Sequence, residues 1–460
     1  MCEVLSGTRT QLRVRDGCLT DRLAVSTTRS VSEPLDEKSL AMLSQDTSPL
    51  GHVDLLGRGK VIKLTAKQRE SESAVREVVT SAFAQIQRNK FKFKSLSSWS
   101  YNIAVVCRHA CRFCYVPSSQ QTGPGKKKEN TGNLAKTLRD YGVLDPDADW
   151  GKYVLFRPWD ENKFLASLKR AENTPRRELN RDGNRAIILC STTDPYQTVS
   201  IPENPEKQKL LNHQCRFLVR RALELILTES TLNVRILTRS PLASRDFDLF
   251  RKFGDRLIFG MSIPTLDDEL CKVYEPHAPG VQARLKTLKA AAEAGIPIFV
   301  AMAPTYPECD EADLRRTLEA LRPLKPLTIF HEPINVRAEN VDRIARHAAA
   351  LNMQARMKRE VFDNPASWRH YAIDQLMLVQ KIATELGLEN RLHLWPDKSL
   401  KSKQRFLEVR ALLRIPSICG QRLTRHEKQQ RRDANAAAYV KFEQWITLWH
   451  SRISEWPGKK

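Results

Sequence analysis

The chain has 460 residues, 28% of them charged, and its 75 Lys and Arg against 53 Asp and Glu give a formal charge of +22. Such a length builds one large core or two ordinary ones, and the basic excess favours polyanionic partners, nucleic acid first among them. No run approaches the ~18 consecutive apolar residues of a membrane span, and no compact apolar segment follows a basic one at the N-terminus, so neither a membrane nor a secreted protein is expected.

Residues 1–55 mix Ser, Thr, Arg and Asp without a sustained period, which predicts a disordered tail. Over 56–97 the spacing of Ala74, Val75, Val78, Val79, Phe83 and Ile86 predicts a helix across about 67–88. The alternation Lys90-Phe91-Lys92-Phe93-Lys94 then predicts a short edge strand or a basic arm that meets phosphates and bases. From Tyr101 onward strands and helices alternate. Short apolar strands are expected at 102–106, 186–190, 234–238, 257–262, 296–301 and 327–331. Helices are expected at about 209–227 and 281–294, the latter stopped by Gly295 and Pro297, and a third starts at a capping-box-like Thr265 and Asp268.

This alternation predicts an α/β core over 98–396: a partial (β/α)6 barrel of the TIM type, with its site at the C-terminal ends of the strands. The stretch 117–183, carrying Lys126-Lys127-Lys128, is too long for an ordinary βα loop and reads as a polar insertion. Residues 397–460 read as a basic helical extension with Trp445, Trp449 and Trp456, which either binds a nucleic-acid backbone or packs its tryptophans on the core.

Cys107, Cys111 and Cys114 lie within eight residues, in the spacing C-x3-C-x2-C. Three thiolates hold three irons of a four-iron cluster, and the iron left over is a Lewis-acidic position for a small molecule. Zinc held by these thiols and His109 is the first alternative, although His109 lies only two residues from each flanking cysteine, which is cramped for tetrahedral closure. A chance group of buried thiols is the second. The remaining cysteines, at 2, 18, 190, 215, 271, 309 and 419, have no framework spacing, which suits a reducing cytoplasm.

The cysteine spacing, with Phe113 before the third thiol, resembles the cluster loop of the radical S-adenosylmethionine (SAM) superfamily. Further strings follow in order over about 98–340: Tyr101-Asn102 before the cysteines, Ser191-Thr192-Thr193-Asp194-Pro195-Tyr196-Gln197, Leu237-Thr238-Arg239-Ser240-Pro241, and the run from Ser262 to Asp268. Tyr274-Glu275-Pro276-His277-Ala278-Pro279 with Arg284-Leu285 beyond, and Ala303-Pro304-Thr305-Tyr306-Pro307, complete the set. Together they resemble the spore photoproduct lyase-like, or "DNA repair photolyase", branch.

That resemblance implies a [4Fe-4S] cluster on Cys107, Cys111 and Cys114, with SAM on the open iron. It implies that Arg239 pairs with the SAM carboxylate, that Ser262 bonds the same end, and that Phe113 and Tyr115 lie beside the cofactors. Asp194, Tyr196 and Gln197 would line the cavity, and His109 would tune the cluster. The family's hydrogen-returning cysteine and tyrosine have no matched position; Cys190, Cys309 and Tyr196 are the candidates. The implied activity is a lyase-like radical enzyme served by a flavodoxin- or ferredoxin-type reductant and acting on nucleic acid, as in DNA repair. A protein- or peptide-modifying radical enzyme and a non-enzymatic iron–sulfur nucleic-acid binder or redox sensor are the competing functions.

Overall fold

The computed structural model describes residues 77–89, 96–117, 143, 149–179, 185–337, 339–397, 400, 440, 444–445 and 447–448. The expected tail at 1–55, the Lys/Phe arm at 90–94, the insertion's 118–142 stretch and nearly all of the 397–460 extension lie outside them.

Two sheets organise the described chain. Strands β1 (Glu77–Val79), β4 (Ala104–Val105) and β5 (Val154–Phe156) form a small one in the order β1-β5-β4. The larger has β2 (Ile86–Arg88), β3 (Trp99–Tyr101), β6 (Ala186–Leu189), β7 (Asn233–Thr238), β8 (Leu257–Ser262), β9 (Ile298–Thr305), β10 (Thr328–Pro333) and β11 (Leu392–Leu394). From β3 to β11 they follow chain order and run parallel, while β2 caps the β3 edge antiparallel. The architecture is therefore mixed α/β with a mostly parallel sheet. Parallel neighbours need crossovers, and here helices supply them: α1 (Glu161–Glu172), α2 (Pro205–Glu229), α3 (Phe247–Phe253), α4 (Asp268–Tyr274), α5 (Val281–Glu293), α6 (Glu311–Leu321), α7 (Asn340–Ala350) and α8 (Pro365–Glu385).

Helix starts follow from the sequence. Asn204 and Asn364 accept N-terminal amides of α2 and α8, each ahead of a proline at the first helical position. Along α2, buried Leu211, Cys215, Leu218, Ala222 and Ile226 recur at helical spacing and form the face turned to the core. Strand residues alternate between two buried layers. Ile187, Leu189, Ile236, Phe259 and Val300 pack with the helices, while Ile188, Ile258, Phe299 and Phe330 meet Leu96 and Trp395 on the other face. Burial on both faces explains why these strands read as unbroken apolar runs.

Several expectations are corrected. The helix at 67–88 is, over its described part, two strands: β1 pairs with β5, β2 with β3, and Thr80 bonds the Phe156 carbonyl between them. Tertiary pairing of β-branched residues overrides a helical spacing of apolar positions. The first parallel strand is Trp99–Tyr101 and not 102–106, because Ala104–Val105 turns away to pair antiparallel with β5. The later part of the 117–183 insertion is integral to the fold, supplying β5 and α1. Helix α4 is capped by Asp267, whose carboxylate accepts from Leu270 N, while the Thr265 hydroxyl bonds Asp313. Strand β11 is a seventh parallel member beyond the six expected. Of the C-terminal extension, Trp445 packs on the core and donates to Gln380 Oε1 of α8 at 2.7 Å. Among the described residues no helix is long and apolar enough to cross a membrane.

Candidate functional site

Just beyond β3, at the C-terminal ends of the parallel strands, lies the cysteine loop. Asn102 begins it: its Oδ1 accepts from Ser191 N at 2.7 Å and Thr192 N at 3.0 Å, locking the end of β3 to the end of β6. Val106 and Ala110, each immediately before a cysteine, adopt φ of 72° and 52°. A β-branched residue in the left-handed region is strained and persists only when its surroundings hold it. Here Val106 N donates to Thr192 O and Thr193 Oγ1 donates to Val106 O. Gly151, itself at φ 88°, lies against Ala110, and a Cβ there would overlap the alanine methyl.

Residues distant in the chain grip the loop from outside. Trp150 Nε1 donates to Cys111 O at 2.9 Å, and Arg343 of α7 donates to Arg112 O and Cys114 O, both at 3.0 Å. Arg108 N donates to Gln197 Oε1, and Arg112 N to Tyr274 O at 2.8 Å. Most donors and acceptors of the loop backbone are thus engaged by protein, which leaves the side chains to do chemistry.

All three thiols are free cysteines. Burial pushes Cys107 and Cys114 up to about 12 and raises Cys111 as well, while Arg239 opposes it at each of the three. Thiols so buried stay protonated until a bound metal displaces the proton. Among the described residues no three Cys, His, Asp or Glu side chains converge as around a single ion; ligands of a cluster hold separate irons and need no such convergence. His109 turns elsewhere: its Nε2 lies 3.3 Å from Asp194 Oδ2, a close contact not aligned as a hydrogen bond. Mixed Cys/His zinc ligation is therefore disfavoured by where His109 points.

The carboxylate of Asp194 is fully engaged. It accepts from Thr238 Oγ1 at 2.6 Å, Tyr196 N at 2.9 Å and Arg239 N at 2.9 Å, besides meeting His109. Burial would raise its pKa, but His109, Thr238 and the Arg239 amide hold it at about 2. This residue ties the cysteine loop to the ends of β6 and β7, and its oxygens face protein donors in place of a ligand.

Arg239 follows β7, two residues beyond Leu237, and Ser262 ends β8. The Arg239 guanidinium lies 5.5 Å from the centre of the Phe113 ring, within cation–π range. Phe113 in turn lies 6.1 Å from Tyr306, whose ring stacks on Tyr274 at 3.8 Å. Arg239 Nε donates to Glu275 Oε1 at 2.8 Å, and the other Glu275 oxygen meets Arg284. Burial favours the neutral acid at Glu275, yet the two arginines outweigh it and hold the group at about 2. Arg284 also donates to Ser262 O at 3.2 Å, and the Ser262 hydroxyl is buried without a hydrogen-bond partner. A buried hydroxyl left unpaired is uncommon and suits a ligand atom.

The structure thus gathers Cys107, Cys111, Cys114, Phe113, Asp194, Arg239 and Ser262 at one edge of the sheet. Tyr115 sits at its rim, 38% exposed, its hydroxyl donating to Ser191 O at 2.5 Å. The candidate hydrogen donors have side-chain surroundings of their own. Tyr196 donates to Asp246 Oδ2 at 3.0 Å and packs against Phe250. Cys309 is wholly buried beside Asp313, and Cys190, at the end of β6, packs in the main core while lying close enough to Asp194 and Cys107 to feel their charge. Asn102, Trp150, Glu275, Arg284 and Arg343 help to form the site without a role assigned from sequence; the strings containing Asn102, Glu275 and Arg284 were the signal for three of them.

No family model matches the chain. It is 28% identical over 258 residues to an uncharacterized protein of Acidianus two-tailed virus, covering 55% of this chain and 72% of that one. It is 23% identical over 283 residues to an uncharacterized protein of Methanocaldococcus jannaschii, covering 61% and 85%. Among solved structures, spore photoproduct lyase complexed with dinucleoside spore photoproduct aligns at 14% identity and a TM-score of 0.44, over 72% of this chain and 84% of that one. A mutant of the same enzyme with bound AdoMet and the dinucleoside aligns at 16% identity and 0.40, over 62% and 70%.

Proposed function

We propose that this chain is a radical SAM enzyme in which Cys107, Cys111 and Cys114 hold a [4Fe-4S] cluster and the substrate is a nucleic acid. The observation that carries the reading is the set of three free thiols in one externally clamped loop, Cys111 buried and Cys107 and Cys114 half-buried, with the Arg239 guanidinium over Phe113 beside them. When bound, such a cluster supplies the electron that cleaves the SAM sulfonium to methionine and a 5′-deoxyadenosyl radical, which takes hydrogen from the substrate.

The chain's own residues would do the positioning. Arg239 offers a fork for the SAM carboxylate, and the unpaired Ser262 hydroxyl offers a second polar contact beside it. Phe113 and Tyr306 would shield one side from water, since both rings pack at the loop. Asp194 would orient the loop through His109 and set the Arg239 backbone. The reading includes a sheet curled into a partial barrel, which is supported by a second core layer that, among the described residues, is built from strand residues with Leu96 and Trp395 and without a helical side chain. The net charge of +22 favours a polyanionic substrate.

Metal and sulfide analysis of anaerobically reconstituted protein tests the cofactor. About four irons and four sulfides per chain are expected; zinc at one equivalent without sulfide would contradict the reading.

A further inference from the structure

Building on that reading, we propose that Glu275 and Arg284 are positioning residues: one buried carboxylate–guanidinium bracket that aims Arg239 and fixes Ser262 for the carboxylate end of SAM. Glu275 is 2% exposed and Arg284 1% exposed. Among the described residues, the bracket's hold on the Arg239 guanidinium is through Nε, which leaves both Nη groups to a planar anion. Arg284 reaches the other Glu275 oxygen and donates to the backbone carbonyls of Pro279 and Ser262. The one bracket therefore sets both the side chain expected to meet the SAM carboxylate and the strand end that carries the unpaired Ser262 hydroxyl.

Charge points the same way. The bracket sets two guanidiniums on one carboxylate beside Phe113 and the Tyr306–Tyr274 stack, so Glu275 is shared between them and Arg239 keeps its attraction for a planar anion at the Nη groups. A purely structural role, in which Glu275 only neutralises buried arginines, predicts different mutant behaviour.

The test is a double-mutant cycle on reconstituted holoprotein at matched iron content, with SAM Kd read by equilibrium dialysis. Glu275→Gln is expected to weaken SAM about tenfold to a hundredfold and to leave four irons in place. In an Arg239→Gln background the same change is expected to weaken Kd by less than about threefold, the part that runs through Arg239 being gone and only the hold on the Ser262 strand end remaining. Should Glu275→Gln not fold, Glu275→Gln with Arg284→Gln keeps the same net charge in the site and carries the same expectation. Wild-type affinity in the single variant, or effects that multiply across the cycle, would overturn the inference. Wild-type protein that holds its full cluster and binds no SAM would instead overturn the reading beneath it.

Discussion

Burial sets the chemistry of the thiols at the centre of the site, because a thiol pushed up to about 12 is protonated at neutral pH and loses its proton to solvent as a metal binds. Replacing Cys111 with alanine should therefore abolish cluster retention while leaving the fold intact, since its backbone carbonyl still accepts from Trp150. Iron analysis with circular dichroism checks this; four-iron absorbance surviving in Cys111→Ala would refute the ligand assignment. The grouping of these three thiols was legible because their spacing is local. Glu275 was not, since its partners Arg239 and Arg284 lie 36 and 9 residues away along the chain and meet it only when β7, α4 and α5 assemble. The direction in which Asp194 points was equally hidden: a polar strand end reads as a ligand or as a clamp, and only its four protein neighbours decide.

Strands β8 and β9 interlock through size. Gly260 sits opposite Phe299 in the register, and a Cβ on it would overlap the phenyl ring. Gly260→Ala should cost about 1–3 kcal/mol by overpacking, measured by urea unfolding, with part of the loss recovered when Phe299→Leu is added. At the next strand pair, buried His331 bonds Thr305 Oγ1 at 3.0 Å, and burial lowers its pKa to about 3. Its folded value lies below the unfolded value of about 6.5, so between these pH values the unfolded chain binds the extra proton and stability rises with pH. From pH 5 to 7 this group should add about 2 kcal/mol; in His331→Gln the difference between urea unfolding at the two pH values should shrink by that amount. An unchanged difference would contradict the assignment. Strands buried on both faces were legible as apolar runs. The 77–88 stretch was not, because its partners β3 and β5 come later in the chain and its apolar spacing suits a helix as well.

At the scale of the molecule, alternating strands and helices fixed the α/β class, whereas the place of β5 and α1 within an apparent insertion emerged only from pairing. The net charge of +22 predicts that nucleic-acid binding falls steeply with salt, about a thousandfold between ~50 and ~200 mM if about six phosphates are contacted. Fluorescence anisotropy with labelled DNA and RNA measures it, and binding insensitive to salt would remove nucleic acid as the favoured substrate. The proposed function stands on radical generation at the cysteine loop. Reconstituted protein reduced with dithionite in the presence of SAM, with and without nucleic acid, should form 5′-deoxyadenosine, and Cys111→Ala should form none. Absence of 5′-deoxyadenosine from wild-type protein carrying its full iron and sulfide would contradict the account.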